Sequence, residues 1–466
     1  MAAPRIISNY AWLPTSEFSP EQLDKLRGRL TFTPPSFGEE PVKEFKYYRE
    51  TANHIGLPRE FYLANKRGLG EDRLRVVDGA PWPSPLAFSS AASLKLDQEE
   101  LRRRALDHLA AGHLGGIIQA ATGFGKTVTA AALIASLGRT TLVIVHRAFL
   151  LRQWVRQLRR FLPGVQVGVI AGARCEYQGK HVVVAMVQTL AKREFSPEVR
   201  KHFGLVIPDE VHRHGARSWA NVMGLFHARY RLGFSATPTR PDGAEVVIQA
   251  HCGPVIVQYT ALRRPPRVRR IFTDFQLPEL VKNTRFLPML TLHRLLAGES
   301  VPGPDGSYPV GSAAARRAKV AALAVRAYEA GRKVLVFASW KVHLQLFQQE
   351  VLRHPWPVGR RPRFVWVIGG VSDDELRRAE AEPCIVLATY GYAREALDLE
   401  SLDVMILLTP TSQVEQAVGR IAREHPTKKD PLILDIQDPL ISKCAGMAAK
   451  REAQYLTLLG PDWNKP

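Results

Sequence analysis

Twice along this chain, short apolar runs alternate with longer segments of helical pattern, and that rhythm restricts the fold to α/β domains built on parallel sheets. Strands of such sheets are covered on both faces by crossover helices, so each run reads as continuously apolar rather than alternating. The first series has its runs at 116–120, 141–145, 182–186, 205–207 and 230–234. The second has them at 334–337, 364–368, 384–387, 404–408 and 432–436. No short solenoid-type period is present, so the expected architecture is two similar α/β domains in tandem.

The remaining segments organise around these two series. Residues 1–90 are rich in Pro, aromatics and mixed charge, and they predict a small accessory domain, closed by the stiff string Pro81-Trp82-Pro83-Ser84-Pro85. The first α/β domain takes 91–260. Residues 261–312 lose the rhythm: they open on Arg263-Arg264-Pro265-Pro266-Arg267-Val268-Arg269-Arg270 and predict a basic linker or insertion. The second α/β domain takes 313–445, and 446–466 reads as a C-terminal tail. A length of 466 residues agrees with two or three cores.

Composition narrows the partner. Lys and Arg number 64 against 44 Asp and Glu, a formal charge of +20 that favours a polyanionic partner. Four scattered cysteines, Cys175, Cys252, Cys384 and Cys444, form no CxxC pair, which argues against a zinc site or a disulfide framework and for a reducing compartment. The absence of a long apolar run and of a signal-peptide pattern predicts a soluble, cytoplasmic protein.

Chemistry concentrates at the ends of the runs. After the run 116–120 comes Ala121-Thr122-Gly123-Phe124-Gly125-Lys126-Thr127, a phosphate-cradling loop followed by a helix. Gly123 and Gly125 let the backbone approach phosphates, Lys126 can meet the β and γ phosphates, and the Thr127 hydroxyl can reach Mg²⁺. Ala120 stands where the loop pattern usually has its first glycine. After the run 205–207 come Pro208-Asp209-Glu210-Val211-His212. Asp209 can hold Mg²⁺ and Glu210 can orient and deprotonate an attacking water. Both carboxylates are expected at the carboxyl edge of the sheet, where the phosphate loop also emerges. Far downstream, Arg420 and Arg423 are three residues apart, a spacing that on a helix puts both guanidinium groups on one face.

In this order the strings resemble the motif set of the superfamily 2 helicases and translocases, over about residues 91 to 440. The resemblance implies two RecA-like domains, with ATP and Mg²⁺ bound between them and a nucleic-acid track. It implies that Gln98 in Leu94-Lys95-Leu96-Asp97-Gln98 reads adenine. It matches His146-Arg147 to motif Ia, Gln188-Thr189-Leu190 to motif Ic, the DEVH string to motif II and Ser235-Ala236-Thr237 to motif III. Thr389 through Asp398 resembles motif V, with Ala396 where a glycine is usual, and implies Asp398 at the ribose. Gln416, Gly419, Arg420 and Arg423 fit motif VI, and His212 is implied to couple the γ-phosphate to it.

Finer features, the string 230–243 and Gly253-Pro254, are similar to XPB, UvsW and related phage branch-migration helicases. Phe45-Lys46-Tyr47-Tyr48-Arg49 and Leu57-Pro58-Arg59-Glu60-Phe61 look like the N-terminal segments of phage members. A bacterial or phage-infected host cytoplasm follows as the expected location. The implied activity is ATP-dependent movement on DNA, with unwinding or branch migration of forks and junctions if the accessory domain 1–90, as a DNA-binding domain, or the insertion 261–312 holds a duplex or junction. An RNA helicase, a duplex DNA translocase that does not unwind, and a non-enzymatic DNA-binding module remain alternatives. For the track, Thr189 and Thr389 are candidates to hydrogen-bond phosphates, Arg152, Arg156, Arg159 and Arg160 form a basic stripe at helical period, and Trp340 is a candidate for stacking or packing.

Overall fold

The computed structural model describes residues 5–34, 44–65, 72–211, 216–236, 242–277, 288–298, 311–368, 372–391 and 399–464. The chain divides into two compact units, Met1–Thr260 and Ala261–Pro466.

The first unit opens with seven short strands: β1 (Arg5–Ile7), β2 (Tyr10–Pro14), β3 (Thr31–Phe32), β4 (Phe45–Lys46), β5 (Arg49–Glu50), β6 (His54–Pro58) and β7 (Asp72–Leu74). Five of them form a sheet in the order β5-β6-β2-β1-β7, and β3 pairs with β4. This small layer is no detached module. Its Ile7, Leu13, Ile55, Leu57 and Tyr62 join one apolar core with Trp219, Phe226 and Cys252 of the following domain. Two buried arginines rivet the join. Arg59 donates to the carbonyls of Ala228 (2.7 Å) and Leu114 (3.2 Å), and Arg231 donates to those of Asn9 (2.9 Å) and Phe226 (3.1 Å). Burial pulls the Arg231 guanidinium down to about 9, a cost these carbonyl partners offset in part. Tyr47, Tyr48 and Arg59, which stand out in the sequence as basic-aromatic strings, are therefore buried packing residues. Trp82 of the Pro-rich string packs edge-on against His181 at 5.4 Å, so this string lies along the domain surface.

Then come β8 (Gly115–Ala120), β9 (Thr141–Val145), β10 (Val167–Ala171), β11 (Arg174–Cys175), β12 (Val182–Met186), β13 (Leu205–Pro208), β14 (Tyr230–Ser235) and β15 (Val255–Tyr259). Their order is β11-β10-β12-β9-β13-β14-β8-β15, and every pairing except β10 with β11 is parallel. All five expected runs are strands of this sheet; β10, β11 and β15 are additional. Every residue of β9 and β13 is buried, as sheet centres flanked by helices require.

The second unit contains β16 (Arg267–Phe272), β17 (Val334–Ala338), β18 (Phe364–Val367), β19 (Ile385–Thr389), β20 (Val404–Leu407) and β21 (Leu432–Gln437), in the order β16-β21-β20-β17-β19-β18 and parallel throughout. Two expectations change here. The segment 261–312 contributes the edge strand β16 and the helix Met289–Ala297, whose Leu292, Leu295 and Leu296 are buried. Arg267, Arg269 and Arg270 disguise the strand, because an edge position leaves alternate side chains in water. The C-terminal segment is likewise no tail. The helix Ser442–Leu459 runs through the expected boundary at 445 and buries Arg451 and Tyr455.

Candidate functional site

At the carboxyl edge of the first parallel sheet, β8 ends in Ala120 and the helix Lys126–Leu137 begins after five intervening residues. Between them the chain turns sharply, with Gly123 at φ 87° and Gly125 at φ 97°. A side chain at Gly125 would be strained by that backbone and would also meet Gln98 Nε2 at 2.3 Å. Ala120 departs from the usual loop pattern without conflict, since it is a regular strand residue paired with Tyr259. The loop is clamped from both sides. Ala121 N–H donates to the Tyr259 carbonyl (2.8 Å), Phe124 stacks on the Tyr259 ring at 5.4 Å, and Gln98 Nε2 donates to the Phe124 carbonyl (2.7 Å). Gln98 is buried, and its Oε1 accepts from Lys95 N–H (2.9 Å) at the start of the helix Leu96–Ala110. The geometry thus brings Gln98 to the phosphate loop.

Lys126 Nζ lies 3.1 Å from Glu210 Oε1 and 3.2 Å from the Ala120 carbonyl. The acid pair follows β13, whose neighbours fix its height: Asp209 N–H donates to the Ile144 carbonyl of β9 (2.9 Å), and Asp209 bridges to Phe234 of β14. Asp209 is buried, and its Oδ2 accepts from Trp154 Nε1 (2.8 Å). Burial and the adjacent Glu210 charge push the Asp209 carboxyl up to about 6, against the lowering effects of Trp154 and Lys126. Glu210 holds a left-handed backbone, φ 51°, which costs a non-glycine residue about 1 kcal/mol or more. Strain, a buried carboxylate and an opposed lysine thus coincide at one sheet edge.

The residues fit a nucleotide with a divalent cation. The first turn of a twelve-residue helix presents free N–H groups and the positive end of its dipole beside Lys126, and Thr127 stands in that turn. Asp209 is a carboxylate whose ionised form needs a cation nearby. His212 and Thr237 lie outside the described residues, as does Asp398. Of the remaining motif III residues, Ser235 is buried at the end of β14 and the Ala236 carbonyl accepts from Gln119 Nε2 (3.1 Å).

Residues 92–240 match the family described as "Type III restriction enzyme, res subunit". A putative ATP-dependent RNA helicase of Acanthamoeba polyphaga mimivirus is 27% identical over 430 residues, covering 90% of this chain and 78% of the viral protein. A probable helicase of Escherichia phage T5 is 28% identical over 334 residues, covering 69% of this chain and 67% of its own. The chain is thus similar to proteins named as helicases over most of its length. Among solved structures, T4 UvsW aligns with a TM-score of 0.39 at 15% identity, covering 94% of each chain.

Of the residues expected to form motif VI, Gln416 and Arg420 lie on the helix Glu415–Ile421, where Arg420 is buried. That helix ends at Ile421, so Arg423 stands beyond it and does not share a helical face with Arg420. The cause is local: Lys428 Nζ donates to the Arg423 carbonyl (2.9 Å) and to that of Glu400 (3.1 Å) and binds the chain in a turn. The loop leading into the helix is braced from the C-terminal helix. Arg451 Nη1 donates to the Thr411 carbonyl (2.6 Å), Gln454 Nε2 to that of Ser412 (2.6 Å), and Val414 N–H to Gln454 Oε1 (2.9 Å). Arg451 is itself fixed by buried Asp435 at 2.7 Å.

The track candidates divide. On the helix Ala148–Phe161, Arg152, Arg156, Arg159 and Arg160 are exposed while Trp154 and Leu158 are buried, so the stripe is a solvated face opposite the residue that holds Asp209. Thr189 Oγ1 accepts from Gly172 N–H (3.0 Å). Thr389 ends β19, half-buried. Trp340 packs against His293 at 4.9 Å, within its own domain. Trp154, Tyr259, Arg451 and Gln454 were not among the sequence candidates; only Trp154, the one tryptophan of its arginine-rich helix, carries a visible signal.

Proposed function

We propose that the protein is an ATP-driven DNA motor that hydrolyses ATP to move along DNA and unwinds or branch-migrates forks and junctions. The observation that carries this reading is the Lys126–Glu210 pair, set between the phosphate loop and a buried Asp209 at one sheet edge.

In this reading Lys126 exchanges Glu210 for the β and γ phosphates of ATP, while Gln98 holds the loop and reads the adenine. The exchange leaves the Glu210 carboxylate to orient the attacking water and take its proton. Asp209 and Thr127 would hold Mg²⁺, which supplies charge neutralisation at the phosphates and Lewis acidity. Trp154 keeps Asp209 facing that position. Arg420 and Arg423, with Gln416 and His212, are assigned to the γ-phosphate and Asp398 to the ribose, by likeness to the helicase motifs. Loss of the γ-phosphate then removes what joins Lys126 to the motif VI arginines, and alternation between the two states moves the chain along a strand held by backbone contacts. The basic charge supports a polyanionic track.

The printed name of the mimivirus relative favours a second reading, an RNA track. ATPase rates with single-stranded DNA, forked DNA, a four-way junction and duplex RNA discriminate them. Stimulation by DNA over RNA supports the proposal; stimulation by RNA alone overturns it.

A further inference from the structure

Edge strand β16 places Arg267 and Arg269 on one face, beside Leu432 and Leu434 of β21, with Arg270 on the other. Arg270 has partners there, Glu452 at 3.5 Å and the Trp463 ring. Arg267 and Arg269 have no side-chain partner among the described residues. They line a groove of about 650 Å³ between β16 and the helix Gly311–Glu329. Three further cations are set around it. Lys319 Nζ donates to the Phe272 carbonyl (2.8 Å) at one end of the strand, Arg332 Nη2 donates to the Asp430 carbonyl (2.9 Å) at the other, and Arg326 lies on the helix between them. Five cations face a single carboxylate, that of Asp430, which already accepts from Arg264 at 3.3 Å.

Five like charges around one cavity destabilise the unliganded protein, and an anion of extended charge relieves that repulsion. Arg267 and Arg269, two residues apart on an edge strand, stand about 6.6 Å apart, which suits successive charges of a polymer rather than one small anion. Among the described residues the lining holds no aromatic side chain to serve as a platform for splayed bases; what the groove can read is backbone. From this we infer that the β16 groove seats the phosphodiester backbone of a nucleic-acid duplex, separately from the track at the motif residues. The inference rests on the motor reading only for the identity of the polyanion.

The test is the Arg267→Gln/Arg269→Gln variant, with binding of a blunt DNA duplex and of a single strand followed by anisotropy across a salt titration without nucleotide. The groove predicts weaker duplex binding, a slope of log K on log salt shallower by about 2, and unchanged single-strand binding. An unchanged duplex slope overturns it. So does an equal loss on single strand, which would put both arginines on the track, or a loss confined to polyaspartate, which would make the groove a seat for an acidic protein. Basal ATPase, measured on both proteins, is expected to be equal. If even the unmodified protein hydrolyses no ATP, the motor reading fails while the salt slope still decides the groove.

Discussion

Lys126 Nζ and Glu210 Oε1 lie 3.1 Å apart, so the lysine proposed to bind phosphate and the carboxylate proposed to activate water neutralise each other in the absence of nucleotide. Incoming phosphates must compete with Glu210 for Lys126. Glu210→Gln is therefore expected to bind ATP at least as tightly as the unmodified protein while losing about 100-fold or more in turnover, the usual contribution of a general base. Nucleotide affinity by calorimetry and single-turnover hydrolysis check the two halves separately; weaker ATP binding in the variant would contradict the exchange.

Asp209 gives the site a pH limit. Its carboxyl is raised from 3.8 to about 6, so relative to the unfolded chain it favours the folded state below pH 3.8, and this contribution is lost as pH rises through 6. A bound cation needs the ionised form. Apparent Mg²⁺ affinity should accordingly fall as pH drops through 6, by up to about tenfold per unit, and Mg²⁺ should raise the melting temperature more at pH 7.5 than at pH 5.5. Thermal melts with and without Mg²⁺-nucleotide measure this.

Trp154 holds the ionised form of Asp209 through its indole N–H at 2.8 Å. Trp154→Phe keeps the apolar packing and removes that donor, leaving Asp209 harder to ionise. The acid limb of the ATPase pH profile is expected to move to higher pH, with about 1.5 to 3 kcal/mol lost at the hydrogen bond. A variant with reduced activity but an unmoved acid limb would mark Trp154 as packing alone.

Gln454 and Arg451 reach from the C-terminal helix to the loop that sets Arg420. Gln454→Ala removes both bonds to that loop and should lower ATPase about tenfold, equivalent to about 1.4 kcal/mol, with nucleotide affinity retained. Arg451→Met strands buried Asp435 and should cost about 3–5 kcal/mol of stability, read as a lowered unfolding midpoint.

What the sequence discloses and what it hides follow from range and environment. The central strands read clearly because β9 and β13 are buried on both faces and carry only apolar or small residues. Asp209 and Glu210 are legible because they sit directly after a strand, where chain direction alone aims them at the sheet edge, and Lys126 because it opens the helix that follows the glycine loop after β8. Trp154 and Tyr259 reach the same site through tertiary packing, from elements 55 residues before Asp209 and on the far neighbour of β8. β16 is obscured by its arginines, and the helix Ser442–Leu459 by buried Arg451, a charge that reads as surface until Asp435 is placed beside it. Arg423 shows the limit of spacing rules: three residues from Arg420 in sequence, it lies past the helix end that Lys428 helps to fix.

The central claim is that this site hydrolyses ATP in response to DNA. The most direct measurement is steady-state ATPase of the unmodified protein and of Lys126→Ala, each with and without forked DNA. The account predicts stimulation by DNA in the unmodified protein and, in Lys126→Ala, no hydrolysis under either condition with DNA binding retained. Equal turnover in the two proteins, or turnover indifferent to DNA, would contradict it.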